Sequence, residues 1–310
     1  MKISIALKAA AVALSLAATP ALAQERVAIG TGGTGGLFYV IGAGMADILN
    51  KHMENTTARA EVTGASVENI RRVAADQMTF GFSSSSTLYE AKNGMGPFDG
   101  DAQPVAAMAY LYPAVLQIAT VADTGIASLE DLAGKKVNLG PPGSNAAVLA
   151  QRLLEAYGVF DPGNAQFLSY TEGTNALMNG TVDATVVLAG APTAALIDLD
   201  AQRDMVLLPL DEQKVSGLFE KYPFYQPYEI PAGTYPDQTE GVMVINDPAT
   251  IFTSEGADEA LVNSITKTIF EHLDKLGEVH PQAKAIALDT ATKTPIDLHP
   301  GAKAYFDTAK

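Results

Sequence analysis

The sequence predicts an α/β protein of two lobes, each a mixed or parallel sheet flanked by helices, hinged around a central cleft. Short β-branched or apolar runs alternate with amphipathic helical stretches, the rhythm of parallel strands joined by crossover helices. That alternation occurs in two series separated by one long extended stretch, "AMAYLYPAVLQIAT". The turns that follow the strands are rich in Gly, Ser and Thr, and open α/β sheets bind ligands at that edge.

In chain order, residues 1–23 read as an export signal. Lys2 and Lys8 accompany an Ala-rich apolar run from Ala9 to Ala18, and "TPALA" supplies the small-x-small pattern at Ala21 and Ala23. The run breaks at Thr19 and Pro20, short of the roughly 20 residues a bilayer span needs. An uncleaved amphipathic anchor is the alternative. The mature chain is expected to begin near Gln24 and to work in the periplasm, away from NAD and ATP.

The first series then runs "RVAIG", "FYVIGAGMADILNKHM", "ARAEVTG", "SVENIRRVAADQ", "MTFGFSS", "TLYEAKNG". The second begins beyond the extended stretch with helix "SLEDLAG", strand "KKVNLG", helix "AAVLAQRLLEAYGV", strand "AQFLSY", helix "GTNALMNG", strand "DATVVLAG" and helix "PTAALIDLDAQ", ending in strand "MVLLPL". The Pro- and Tyr-rich stretch Tyr222–Gly241 reads as the return path, and two C-terminal helices close the first lobe. The expected division is 24–112 plus 236–310 for the first lobe and 113–235 for the second.

Composition narrows the function. The chain has no cysteine, so disulfides, thiolate metal sites and a Cys nucleophile are excluded. Its net charge is −15, and losing the leader removes two lysines and no acid. Such a surface repels nucleic acid and anionic membrane faces. With 47% hydrophobic residues there is ample material for a core without any cofactor or cross-link.

Five turns should meet at the cleft: "GTGGTGG", "TGASVEN", "SSSST", "GPPGSN" and "AGAPT". None offers a lysine, arginine or histidine, so main-chain amides and hydroxyls must do the binding. A helix N-terminus is suited to that, because its unpaired N–H groups and its dipole point outward together. The first turn also contains G-x-G-x-x-G at Gly30, Gly32 and Gly35. A dinucleotide site needs an acid at the end of the second strand, and Glu61 reads as lying inside "ARAEV" with no acid at that strand's end. A G-K-[ST] tail is absent too. The turn is therefore either an anion or polar-solute site or simply a glycine-rich turn.

At this point the blocks "GTGGTGGLFY", "TGASVENIRR", "LYPAV", "GIASLEDLAGKKVNLGPPGSN", "AGAPTAALIDL", "YPFY…IPAGTYP" and "IDLHPGAKAYF" resemble the TAXI family of TRAP-transporter solute receptors, in the right order over essentially all of the mature chain. The resemblance implies a type II-like periplasmic binding protein, expected as a monomer. Such a receptor closes on a small organic anion or amino acid and delivers it to ion-gradient-driven membrane subunits. It implies no catalysis and no ATP, and neither a metal nor a cofactor is expected. Position by position it points to Gly36 and Tyr39, to Ser66 and Asn69, and to Gly143 and Ser144 as ligand-binding residues, and Ser84, Ser85, Asn145 and Pro192 in the neighbouring turns are expected beside them. Here Phe38 replaces the first aromatic of the family's loop, Ala65 a glycine, and Asn145 and Ala146 a Gly-Thr pair. "SSSS" stands where relatives read Gln-Ser-Asp, so Ser86 lacks an acid that would receive an ammonium group. A carboxylate or dicarboxylate is therefore favoured over an amino acid such as glutamate.

Micromolar binding needs about −8 kcal/mol, while a hydrogen bond to a charged group brings about 1.5–3 kcal/mol and a helix end about 0.3–1. A few donors and two helix ends suffice only where closure excludes water. Arg71 or Arg72 would add a cation if either reached the cleft; both also fit an exposed helical face. His52, His272, His280 and His299 have no metal-ligand spacing. Ser83–Ser86 lacks a nucleophile elbow. Tyr222, Phe224, Tyr225, Tyr228 and Tyr235 either cover the ligand or pack the hinge. A sensor subunit for a membrane receptor and an exported serine hydrolase are the alternative functions.

Overall fold

The computed structural model describes residues 24–222 and 224–309, so the expected leader lies outside the described residues. The first half begins with β1 (Glu25–Gly30), α1 (Leu37–His52), β2 (Thr56–Glu61), α2 (Ser66–Ala74), β3 (Phe80–Ser84), α3 (Ser85–Lys92) and β4 (Val105–Tyr112). The apolar positions of α1, Leu37, Ile41, Met45, Ile48 and Leu49, recur at helical spacing and are all buried against the sheet. Strand β3 is buried along its whole length, as a central strand covered on both faces must be.

The second half contains β5 (Val115–Val121), β6 (Val137–Asn138), α4 (Asn145–Ala156), β7 (Ala165–Gln166), α5 (Tyr170–Met178), β8 (Ala184–Ala189), α6 (Ala194–Asp200), β9 (Met205–Leu207), α7 (Ser216–Lys221), β10 (Gln226–Ile230) and β11 (Val242–Asn246). The chain then returns with β12 (Ala249–Ser254), α8 (Glu259–Phe270), α9 (Leu273–Val279) and α10 (Pro300–Thr308). The first sheet has the order β2-β1-β3-β12-β4, and the second runs β10-β11-β5-β8-β6-β7 with β9 also on β5. Strands β1, β2 and β3 pair in parallel, whereas β12 is antiparallel to both its neighbours. Both sheets are mixed.

The long stretch "AMAYLYPAVLQIAT" does cross between the sheets, divided at Pro113 into β4 and β5. The return crossing differs from expectation. Strands β10 and β11 ladder within the second sheet, so the chain goes back between Asn246 and Ala249 rather than at residue 236. The Pro-rich composition that suggested a linker instead marks an edge strand, where Pro227 removes no needed donor. Three smaller readings also change, the first being that β2 ends on Glu61, the acid read as interior to that strand, which Arg59 and Arg72 hold. "SLEDLAG" forms only a 3₁₀ turn at Glu130–Leu132, and of "AQFLSY" only Ala165–Gln166 is strand, with Tyr170 opening α5.

One apolar cluster is continuous across the two halves, from Ile29 and Phe82 to Val187 and Ala189. The halves are thus packed together, and the ends of β1, β3, β6 and β8 face one another across the gap.

Candidate functional site

All five Gly- and Ser-rich turns reach a single small cavity of about 20 Å³. From the first half it is lined by Gly32, Gly33, Gly36, Leu37 and Phe38, by Ala65 and Ser66, and by Ser84. The second half contributes Pro141, Ser144, Asn145 and Ala146, then Tyr170, Leu188 and Ala189. No lysine, arginine or histidine is among them.

Helices α1, α2 and α4 open onto this cavity. Gly36 and Ala65, the residues before α1 and α2, offer no side-chain cap. The N–H groups of those first turns are thus not used by a cap, although that of Glu68 is taken by Gly143 O. The Ser66 hydroxyl accepts from the Ser84 N–H at 3.0 Å, which leaves its own proton free to donate. Ala65 holds φ at 71°, a conformation at ease for glycine and strained for alanine, so the α2 start carries local strain at the cavity wall. On the other side Ser144 caps α4 itself: its oxygen accepts from the Ala147 N–H at 3.3 Å while its O–H donates to Pro141 O at 2.6 Å.

The remaining glycines let the halves approach. A Cβ on Gly64 would stand 2.5 Å from Pro142 O, and one on Gly35 would stand 2.4 Å from Thr171 Oγ1. A main-chain hydrogen bond joins the halves here, from the Glu68 N–H to Gly143 O at 3.3 Å.

Of the residues expected at the site, Gly36, Ser66, Ser84, Ser144 and Asn145 line the cavity; Tyr39, Asn69, Ser85, Gly143 and Pro192 do not. Asn69 is buried and ties the loops after β1 and β2 to β3, donating to Thr31 O at 2.7 Å and Phe82 O at 2.8 Å and accepting from Thr63 Oγ1 at 2.7 Å. The Ser85 hydroxyl is engaged with Thr250 Oγ1 at 2.8 Å. Arg72 is paired with Glu61 at 2.8 Å, and Arg71 reaches Pro97 O; neither borders the cavity.

Sequence reasoning missed two residues. Tyr170 was expected in a strand; it lines the cavity, with its hydroxyl donating to Leu188 O at 2.9 Å. Asp247, in the return crossing, is fully buried and receives the Ser86 N–H at 3.0 Å, the Ser86 hydroxyl, and Asn145 Nδ2 at 2.6 Å. Burial pushes its carboxyl up to about 6, against the lowering effect of those hydrogen bonds. The acid that Ser86 lacks therefore comes from a different element. Beside it, Glu90 on α3 and Arg152 on α4 form a buried ion pair across the halves at 2.8 Å. Tyr225 accepts from Arg152 and packs against Tyr222 and Phe224, so these aromatics brace that pair instead of covering the cavity. His52 and His272, remote in sequence, stack at 3.8 Å at the C-terminal end of α1.

The model of one family, described as NMT1-like family, matches residues 29–308. The chain belongs to the NMT1-like family. Among solved structures, this NMT1-like chain is similar to MatC from Rhodopseudomonas palustris with bound malate, at 15% identity and TM-score 0.58, covering 91% of this chain and 97% of that one. The alkanesulfonate-binding protein SsuA from Xanthomonas axonopodis pv. citri bound to MOPS is similar at 15% identity and TM-score 0.50, with 93% and 85% covered. An ancestral arginine-binding protein bound to arginine is similar at 13% identity and TM-score 0.51, with 84% and 98% covered. The two-sheet fold is that of periplasmic solute-binding proteins. Among the described residues no helix is long and apolar enough to cross a membrane.

Proposed function

We propose that this protein is the extracytoplasmic solute receptor of a TRAP-type secondary transporter, of the TAXI kind, binding a small carboxylate or dicarboxylate between its halves. One observation carries the reading: two helices without side-chain caps, α1 and α2, open onto a cavity between the halves that is lined by no cationic side chain. Donors fixed in the main chain and screened from water are suited to a compact anion and leave its charge otherwise uncompensated by the protein. MatC, whose structure holds malate, supplies a related fold with an organic acid bound. Ser66 and Ser84 add hydroxyls, and Tyr170 closes over the solute from the other half. The receptor turns nothing over; it delivers its solute to membrane subunits from the periplasm after loss of residues 1–23.

The test is native mass spectrometry of gently purified protein before and after denaturation, followed by calorimetry with propionate, succinate, glutarate and their 2-hydroxy and 2-amino derivatives. A released acid that rebinds at micromolar or better affinity is expected. Release of a neutral or cationic solute, or heat uptake with no acid in the panel, would overturn the anion reading.

A further inference from the structure

Asn145 stands apart among the residues lining the cavity, because its buried side chain carries an acceptor without a donor. It is the first residue of α4, it borders the cavity, and it is 1% exposed. Its side-chain nitrogen donates to Asp247 Oδ2 at 2.6 Å and to Ser86 Oγ at 3.2 Å. Both amide protons are thereby committed, on the side of the amide facing the return crossing. Its Oδ1 is buried and has no hydrogen-bond partner among the described residues.

The network fixes which way the amide stands. Turned over, Asn145 would set its oxygen against the Asp247 carboxylate at the 2.6 Å now spanned by a hydrogen bond, acceptor against acceptor. Asp247 is in turn held by the Ser86 N–H and hydroxyl. The side chain therefore presents one group only, a carbonyl oxygen. A buried carbonyl without a donor is costly, and native structures rarely leave one so.

We propose that the solute carries an O–H or N–H donor on the carbon chain next to its carboxylate, and that Asn145 Oδ1 receives it. The carboxylate lies on the amides of α1 and α2, and the donor reaches across to the second half. A 2-substituted acid thus bridges both halves, where the unsubstituted acid of the same length engages the second half only by its main chain. Asn145 then selects among acids as well as holding them, and Asp247 and Ser86 are positioning residues for it. This rests on the anion reading above.

The experiment is calorimetry on the full mature chain with matched sets: propionate, lactate and alanine; succinate, malate and aspartate; glutarate, 2-hydroxyglutarate and glutamate. In the set that fits the cavity, the unsubstituted acid should bind about tenfold to a hundredfold more weakly than a substituted partner, the scale of one buried acceptor left unpaired. The hydroxy and amino arms separate the two kinds of donor. In Asn145→Ala the preference should shrink to about twofold or less. Equal affinity for substituted and unsubstituted acids in the wild type would overturn the donor assignment and leave the anion reading standing. An undiminished preference in a folded Asn145→Ala protein would remove Asn145 from the role. Absence of binding by every acid would overturn both.

Discussion

The starts of α2 and α3 lie side by side in the same half of the site, and they treat anions differently. At α3 the Ser86 N–H and hydroxyl are taken by the protein's own carboxylate, Asp247. At α2 the Ser66 hydroxyl keeps its proton and Ala65 provides no cap. The first is a finished interaction between a carboxylate and a helix N-terminus; the second has the same donors, a main-chain amide and a serine hydroxyl, turned toward the cavity. Asp247 thus displays within the fold the contact that a carboxylate solute is proposed to make one helix away. The Ser86 donors at α3 are thereby already used.

The sharpest way to break this comparison is to remove the internal anion. Asp247→Ala leaves the Ser86 N–H, the Ser86 hydroxyl and the Asn145 amide without their acceptor. With hydrogen bonds to a charged group contributing about 1.5–3 kcal/mol each, and burial of the carboxylate offsetting part of that, a loss of about 3–5 kcal/mol is expected. Urea denaturation of the unliganded protein measures it. A loss below about 1 kcal/mol would mean that Asp247 does not complete α3.

A smaller effect follows from protonation. The carboxyl of Asp247 is raised to about 6 in the folded protein from an ordinary value of 3.8, chiefly by burial. Between those values the folded state binds the proton that the unfolded state has released, so this group's contribution to stability falls as pH rises from about 4 to about 6 and is flat above. The span corresponds to about 3 kcal/mol, an order-of-magnitude figure. Comparing the stability of the wild type with Asp247→Asn across that window should show the wild type losing more on going from pH 4 to 6. Parallel curves would mean that the carboxyl titrates normally.

What was legible in the sequence divides along the same line. The five turns, their lack of cations and their meeting at one gap follow from local composition and from where strand ends must lie. Ser66, Ser84, Ser144 and Asn145 were within reach because each sits at a helix start, a local feature. Asp247 was not, because a single acid between β11 and β12 becomes meaningful only once the return crossing lies beneath Ser86, 161 residues away in sequence. Placing that crossing at residue 236 hid it. The pair Glu90–Arg152 escaped notice for the same reason, since only closure of the halves brings α3 and α4 together. Asn69 failed in the other direction: a helix-start position that looked like a binding residue is consumed by Thr31, Thr63 and Phe82, a long-range task no local pattern reveals.

The finest test sets Ser66 against Ser144, two serines at cavity-side helix starts that local sequence treats as equals. Ser144 uses its oxygen on the Ala147 N–H and its proton on Pro141 O, so its work is internal. Ser66 holds the Ser84 N–H but retains its own proton. Ser66→Ala should therefore weaken an acid solute by about 1.5–3 kcal/mol, the scale of a hydrogen bond to a charged group, with little change in the stability of the unliganded protein beyond the cost of releasing Ser84. Ser144→Ala should do the reverse, lowering stability by about 1 kcal/mol, as loss of an N-cap does, and changing affinity by a few tenths. Calorimetry and denaturation on the same two variants separate the cases. If the two substitutions moved affinity equally, the free proton on Ser66 would not be what distinguishes the helix starts of the two halves.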